Sequence, residues 1–249
     1  MFRAVTSNPK ILKDSIDTIS QLIDEGVFKL KRDGIELVAT DRAMVAVIDF
    51  TLGSNAFDEY NCDSEKEIGL NLLNFLTILK RAGTGDKLIL ELKDENKLEI
   101  TLQGGSVRRF AVPLLEINKE EIPPVNQLEF SAAMEIRADI LDQGIADADI
   151  IADSVVFDLN DGSMKMFAEG DSSKTELILE GGNESLISLN TKQPVKSRYP
   201  LDYLKKIIKA SRLAPIAKIQ LGTDYPMRIE FAGKNISLRC ILAPRVSED

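Results

Sequence analysis

Lys80-Arg81, and Lys205-Lys206 followed by Lys209 and Arg212, are the side chains whose type and spacing most suggest a task. They close two apolar-patterned segments in which Asp202 is the only acidic companion, so helices there would each present cations on one face. Such a row suits a phosphate backbone, held without regard to base sequence and in a salt-sensitive way. The competing reading is that cations near a helix C-terminus merely complement the helix dipole, which Lys80, Arg81 and Lys209 could do anyway. Lys10 and Lys13 add charge to an earlier segment, diluted by Asp14 and Asp17.

Bond-making chemistry is harder to find. The chain has no histidine, which removes Ser-His-Asp and Cys-His catalysis and histidine-liganded zinc. Cys62 and Cys240 have neither metal nor redox spacing and read as reduced thiols of an intracellular protein, with a disulfide as the alternative. Gly104-Gly105 and Gly181-Gly182 lack the Lys-Ser/Thr of a phosphate loop. Asp33 with Asp41, or Asp161 with Asp171, could be imagined as metal pairs, but Asp33-Gly34 and Asp161-Gly162 are better read as turns. Asn183-Glu184-Ser185 is a glycosylation triplet without a secretory signal, and no apolar run is long enough to span a bilayer. A soluble, intracellular protein with no catalytic constellation, metal or cofactor is expected. The net charge of −9 requires any nucleic-acid-facing charge to be segregated from Asp63, Glu65, Glu67, Asp86, Glu91, Asp94, Glu95, Glu116, Glu120, Glu121, Glu248 and Asp249.

The elements that must position the cations follow from periodicity. Residues 10–22 are amphipathic at helical spacing, with Asn8-Pro9 as cap and first-turn proline. Residues 72–82, 139–151 and 201–210 are also helical. Hairpins centre on Asp33-Gly34, on residues 93–96 and on Asn160-Asp161-Gly162. Further strands occupy residues 45–52, 106–112, 175–180, 217–221, 227–231 and 236–242. The third helix breaks the basic pattern, with Asp139, Asp142, Asp147, Asp149 and then Asp153 against Arg137. Those carboxylates could pair with Arg108 and Arg109 of a neighbouring subunit, or form a solvated acidic face.

The order of elements repeats. Phe28 answers Phe157 and Ile48 answers Leu177 at an offset of 129, Phe75 answers Tyr203 at 128, and Ser106 answers Ser237 and Pro113 answers Pro244 at 131. A near-constant offset across this many elements indicates a duplicated α+β module, two unrelated domains of like order being the alternative. Each module needs a helix layer on one face of a mostly antiparallel sheet. Strands 106–112 and 175–180 alternate regularly and carry no protecting proline, so their edges invite another chain, and head-to-tail pairing can close a ring. The candidate interface is therefore Ser106, Val107, Arg108, Arg109 and Phe110 with Thr175, Leu177 and Leu179.

Residues 113–128 join the copies. Pro123-Pro124 stops helix and inner strand alike, yet Leu114, Leu115, Ile117, Ile122, Val125 and Leu128 make the segment too apolar for a plain linker. The expected boundaries are 1–113, a connector at 114–128, and 129–249.

Met1-Phe-Arg-Ala4, Leu22-Ile-Asp-Glu25, Asp33-Gly-Ile-Glu-Leu37, Ala39-Thr-Asp41 with Val45, Ile78-Leu-Lys-Arg-Ala-Gly83, Tyr203-Leu204 and Leu242-Ala-Pro-Arg-Val246 resemble the proliferating cell nuclear antigen family, the DNA sliding clamps, in its archaeal form. The resemblance runs the length of the chain and lies in the order and spacing of these pieces. It implies a ring of three two-domain subunits, helices lining the hole and sheets outside, threaded by duplex DNA and catalysing no reaction. It implies tethering of DNA polymerase, clamp loader, flap endonuclease and DNA ligase, and a cytoplasmic, nucleoid-associated protein, or a nuclear one in a eukaryote. DNA contacts carry over onto Lys10, Lys13, Lys80, Arg81, Lys205, Lys206 and Lys209, with Arg212 just beyond. Asp14, Ser20 and Thr77 stand where some relatives have lysine, so the DNA-facing charge is thinner here. A client-peptide pocket carries over onto Thr40, Met44, Val45, Val47, Ile122, Pro226, Ile241, Ala243 and Pro244, the alternative being that these close the core. A specialised or checkpoint clamp, one subunit of a heterotrimer, and a scaffold that binds no DNA are the other readings, and an enzyme with a carboxylate site is a fourth.

Overall fold

The computed structural model describes residues 1–94, 96–117, 122–160 and 162–245. Glu95, Glu120, Glu121 and Asp161, and the tail with Val246, Glu248 and Asp249, lie outside the described residues. The chain divides into two compact units. The first comprises Met1–Arg42, Ile48–Ile122 and Gly233–Leu238, and the second Ala43–Val47, Pro123–Ala232 and Arg239–Asp249.

The first unit runs β1 (Phe2–Thr6), α1 (Pro9–Ile19), β2 (Glu25–Lys31), β3 (Gly34–Thr40), β4 (Ala46–Gly53), β5 (Glu59–Cys62), β6 (Lys66–Asn71), α2 (Leu72–Leu79), β7 (Lys87–Leu92), β8 (Lys97–Gln103) and β9 (Val107–Pro113). The second runs β10 (Ala132–Arg137), α3 (Ala138–Ile151), β11 (Ser154–Asn160), β12 (Ser163–Glu169), β13 (Lys174–Glu180), β14 (Leu186–Thr191), β15 (Val195–Pro200), α4 (Leu201–Ile207), β16 (Ile216–Leu221), β17 (Met227–Ala232) and β18 (Ile236–Leu242). Strand order is β5-β1-β7-β8-β9 with β6-β2-β3-β4 in one copy, and β14-β10-β16-β17-β18 with β15-β11-β12-β13 in the other. Element for element these are the same pattern, so the duplication inferred from residue offsets holds at the level of topology.

Each copy thus spreads its strands over two sheets where periodicity suggested one, and β18 and β4 are neighbours in a single nine-stranded sheet. The cause is the opening strand. Phe2 sits opposite both Cys62 of β5 and Leu92 of β7, which draws the later hairpin into a sheet of its own. Leu12 of α1, Phe75 of α2, Phe28 and Ile68 of one sheet, and Phe2 and Leu98 of the other, converge on one apolar core. In the second unit Met134, Leu141, Phe157, Tyr199, Leu204 and Ile219 are buried in the corresponding way.

Pro9 begins α1 in the first turn, but the Asn8 side chain makes no capping bond. α2 stops at Leu79, short of Ala82, with Lys80 as its cap, and α4 passes into a 3-10 turn over Ile208–Arg212. α3 lies close against its sheet because residue 144 is glycine. A Cβ there would stand 2.3 Å from Met166 Cε and 2.8 Å from Leu177 Cδ2.

The connector starts docked. Leu115 donates its N–H to the Gly69 carbonyl of β6 at 2.9 Å. A Cβ on Gly69 would lie 2.2 Å from the Leu115 carbonyl oxygen, so only glycine lets the strand take this partner. Gly69→Ala is expected to destabilise the chain by about 2–3 kcal/mol through backbone displacement, read from urea unfolding. The strand β4 is tied to β18 at both ends, by Gly53 N–H to Asn235 O at 2.9 Å in the first unit and Ala243 N–H to Val45 O at 2.9 Å in the second.

Candidate functional site

The basic stripe of the first unit is built on α1 and the end of α2. α1 buries Leu12, Ile16 and Ile19, which turns Lys10 outward and leaves Lys13 half-exposed. Both cations lean on Asp14, with Lys10 Nζ at 2.5 Å and Lys13 Nζ at 3.4 Å from its carboxylate oxygens, and Asp14 itself is only 4% exposed. Lys80, at the exposed C-cap of α2, reaches Asp17 Oδ1 of α1 at 2.9 Å. Arg81 follows it at the surface.

In the second unit α4 and its 3-10 extension bury Leu201, Leu204, Ile207, Ile208 and Ala210. That spacing leaves Lys205 and Arg212 exposed and Lys206 and Lys209 half-exposed. Lys205 Nζ pairs with Asp149 Oδ2 of α3 at 2.9 Å, and Lys206 Nζ sits 5.3 Å from the centre of the Tyr203 ring. α3 buries Leu141, Ile145 and Ala148 and exposes Asp139, Asp142, Asp147 and Asp149 with Ile150. Arg137 grips Asp139 through two nitrogens, at 3.0 and 2.5 Å, and holds that carboxyl below the usual range. Lys10, Lys13, Lys80 and Lys205 are therefore in ion pairs with aspartates of their own unit. The i, i+4 pair Lys10–Asp14 was legible in the spacing. The cross-helix partners Asp17 and Asp149 were not.

β9 and β13 are terminal strands of their sheets. Ser106, Val107 and Arg109 are exposed and Phe110 is half-buried. Arg108 turns inward, its guanidinium 2.5 Å from Asp86 Oδ2 and donating to the Arg81 carbonyl at 3.0 Å. It clasps the end of α2 to the start of β7, which leaves Arg109 as the exposed member of that pair. Along β13, Thr175 and Leu177 are half-buried and Leu179 is buried, so Leu179 can offer a neighbour only its main chain.

The residues of the expected peptide pocket are distributed over both units. In the second, Met44 is 64% exposed with a left-handed φ of 56°, Val45, Ala243, Pro244 and Pro226 are half-exposed, and Val47 and Ile241 are buried. In the first, Thr40 is half-exposed and Ile122 exposed. The chain end is fastened by Arg245, whose N–H donates to the Arg198 carbonyl at 2.7 Å and whose Nη1 lies 2.6 Å from Asp153. That guanidinium holds the Asp153 carboxyl below its ordinary value. Arg228, missed from sequence, anchors the far end of the connector, donating to the Val125 carbonyl at 2.9 Å and stacking 4.7 Å over Phe130.

Among the described residues no group of carboxylates and thiols is placed to hold a metal ion, and no helix is long and apolar enough to cross a membrane. Cys62 and Cys240 are buried and not joined in a disulfide.

Family models for the proliferating cell nuclear antigen N-terminal domain and C-terminal domain match residues 1–120 and 124–246. The DNA polymerase sliding clamp of Pyrococcus furiosus is 35% identical over 248 residues, 99% of each chain. DNA polymerase sliding clamp 1 of Thermococcus kodakarensis is 34% identical over the same length and coverage. A crystal structure of PCNA from Thermococcus kodakaraensis superposes with a TM-score of 0.92 at 28% identity, covering 98% of this chain and 100% of that one.

Proposed function

The chain belongs to the proliferating cell nuclear antigen family and is a DNA sliding clamp, and on that premise we propose that three copies close head to tail, β9 against β13, into a ring around duplex DNA. The domains are residues 1–113 and 129–249, with 114–128 as connector. Lys10, Lys13, Lys80, Arg81, Lys205, Lys206, Lys209 and Arg212 face the phosphates and neutralise them without reading sequence. The protein catalyses no reaction. It keeps a polymerase at the primer by topology and by raising its local concentration, and it serves clamp loader, flap endonuclease and ligase through the same docking surface. The observation that carries this reading is that β9 and β13, one from each copy of the duplicated module, are terminal strands, in a chain that matches the family over residues 1–120 and 124–246. Native mass together with polymerase stimulation on a primed circle tests it. A protein that stays monomeric and never stimulates synthesis defeats the reading.

Clients dock with an aliphatic and two aromatic anchors on Thr40, Met44, Val45, Val47, Ile122, Pro226, Ile241, Ala243 and Pro244. Ile122 is exposed, so it has apolar surface to offer. Ile122→Ser should weaken binding of a client peptide by about tenfold or more, the ~1.5–3 kcal/mol expected for losing one buried aliphatic side chain. Calorimetry with the peptide and native mass of the ring check the two halves of this expectation, loss of binding and an unchanged assembly.

A further inference from the structure

In each unit a lysine of the basic stripe is tied across to the neighbouring helix. Lys80 Nζ lies 2.9 Å from Asp17 Oδ1 between α2 and α1, and Lys205 Nζ lies 2.9 Å from Asp149 Oδ2 between α4 and α3. The pairs are not copies of one another. The residue 129 beyond Asp17 is Ala146, and the residue 128 beyond Lys80 is Ile208. Each unit has reached a cross-helix pair from different positions, so the arrangement is not a relic of duplication. In both pairs the aspartate is the more sheltered partner, with side chains 17% and 38% exposed against 55% and 46% for the lysines. The ammonium groups therefore reach solvent while anchored at their tips. A phosphate approaching such a lysine must displace a carboxylate, and a lysine that stays paired neutralises no phosphate and so frees no counterion from the duplex.

We propose that Asp17 and Asp149 set how strongly the helical faces hold DNA, by keeping Lys80 and Lys205 in intramolecular pairs. The inference rests on the reading that these helices face DNA. A weak grip costs a clamp nothing, since topology retains the duplex, and it lets the duplex slide.

The test is fluorescence-anisotropy titration of a duplex oligonucleotide with the full-length protein between about 50 and 200 mM KCl. Asp17→Asn with Asp149→Asn, shape-conserving changes, should bind about tenfold tighter at the low-salt end, with a slope of log K against log salt steeper by ~0.9 for each lysine released onto a phosphate, two lysines to a subunit. Adding Lys80→Gln and Lys205→Gln to that variant should remove the gain. Asp142→Asn with Asp147→Asn makes the same change in net charge on exposed positions of α3, and an equal gain there overturns the proposal in favour of bulk charge. If the double variant does not fold, Asp149→Asn alone carries the test, with about half the change in slope expected. Unchanged affinity and slope in the Asn variants, while Lys209→Glu weakens binding, sink the inference and leave the clamp reading standing. Binding that ignores Lys209→Glu and Arg212→Glu removes that reading, and the inference with it.

Discussion

Lys80→Glu combined with Lys209→Glu is expected to leave the chain folded and to abolish its stimulation of a polymerase on a primed circle. Lys80 caps α2 at the surface and Lys209 lies in the turn that prolongs α4, so one substitution falls on the helical face of each unit. Surface changes of this kind usually move stability by no more than about 0.5 kcal/mol. Their electrostatic effect is larger. Each lost phosphate contact lowers the salt slope by about 0.9, and in a trimer each change is presented three times and adds repulsion. A loss of DNA affinity of at least about a hundredfold at moderate salt is expected. Primer extension on a circle, scored for product length with and without the clamp, reads it directly, with a melting curve as the fold control. Product lengths equal to those with the unmodified clamp would place the duplex elsewhere.

Ile178→Asp is expected to yield a folded protein of 27.6 kDa that no longer assembles. Ile178 is 50% exposed on β13, and Val107 is 53% exposed on β9. These are β-branched side chains on terminal strands, where a monomer would ordinarily place a charge or a proline. A carboxylate buried there without a partner costs about 3–5 kcal/mol at each junction, beyond what a modest edge pairing can absorb. Val107→Asp should behave alike. Light scattering coupled to size exclusion distinguishes the outcomes, and retention of three times the chain mass would mean that assembly uses another surface.

The duplication, the four helices and the two edge strands were legible because each rests on a local signal, whether a 3.6-residue stripe, a hairpin turn or a residue offset. The elements that were missed obey the same offsets. β1 answers β10, β5 answers β14 and β6 answers β15. Glu59–Cys62 is too short to establish an alternation, and in β15 Pro200 masks what the neighbouring residues would suggest. The site was partly legible for a different reason. Sequence reveals which side of a helix a lysine occupies but not which residue of the next helix lies beside it. Asp17 therefore read as dilution of charge, and Asp149 as one of an acidic row, when each is a specific partner. The partners of Arg108 were hidden for the same reason, since Asp86 and the Arg81 carbonyl reach it only after the chain has turned back.

The bonds from Gly53 to Asn235 and from Ala243 to Val45 run along β4 and β18, which by the offsets of 129 and 131 are the counterparts of β13 and β9. The chain thus already makes once, within itself, the strand partnership that β9 and β13 are proposed to make with neighbours. The internal version is held by a tether, at an effective concentration no dilution can lower, whereas the external one weakens as the protein is thinned. A ring built on this principle would have two kinds of seam, one tethered and one not, that differ in mass action. Diluted far enough, it parts only at the external seams, and each released chain keeps intact its own copy of the joint that failed.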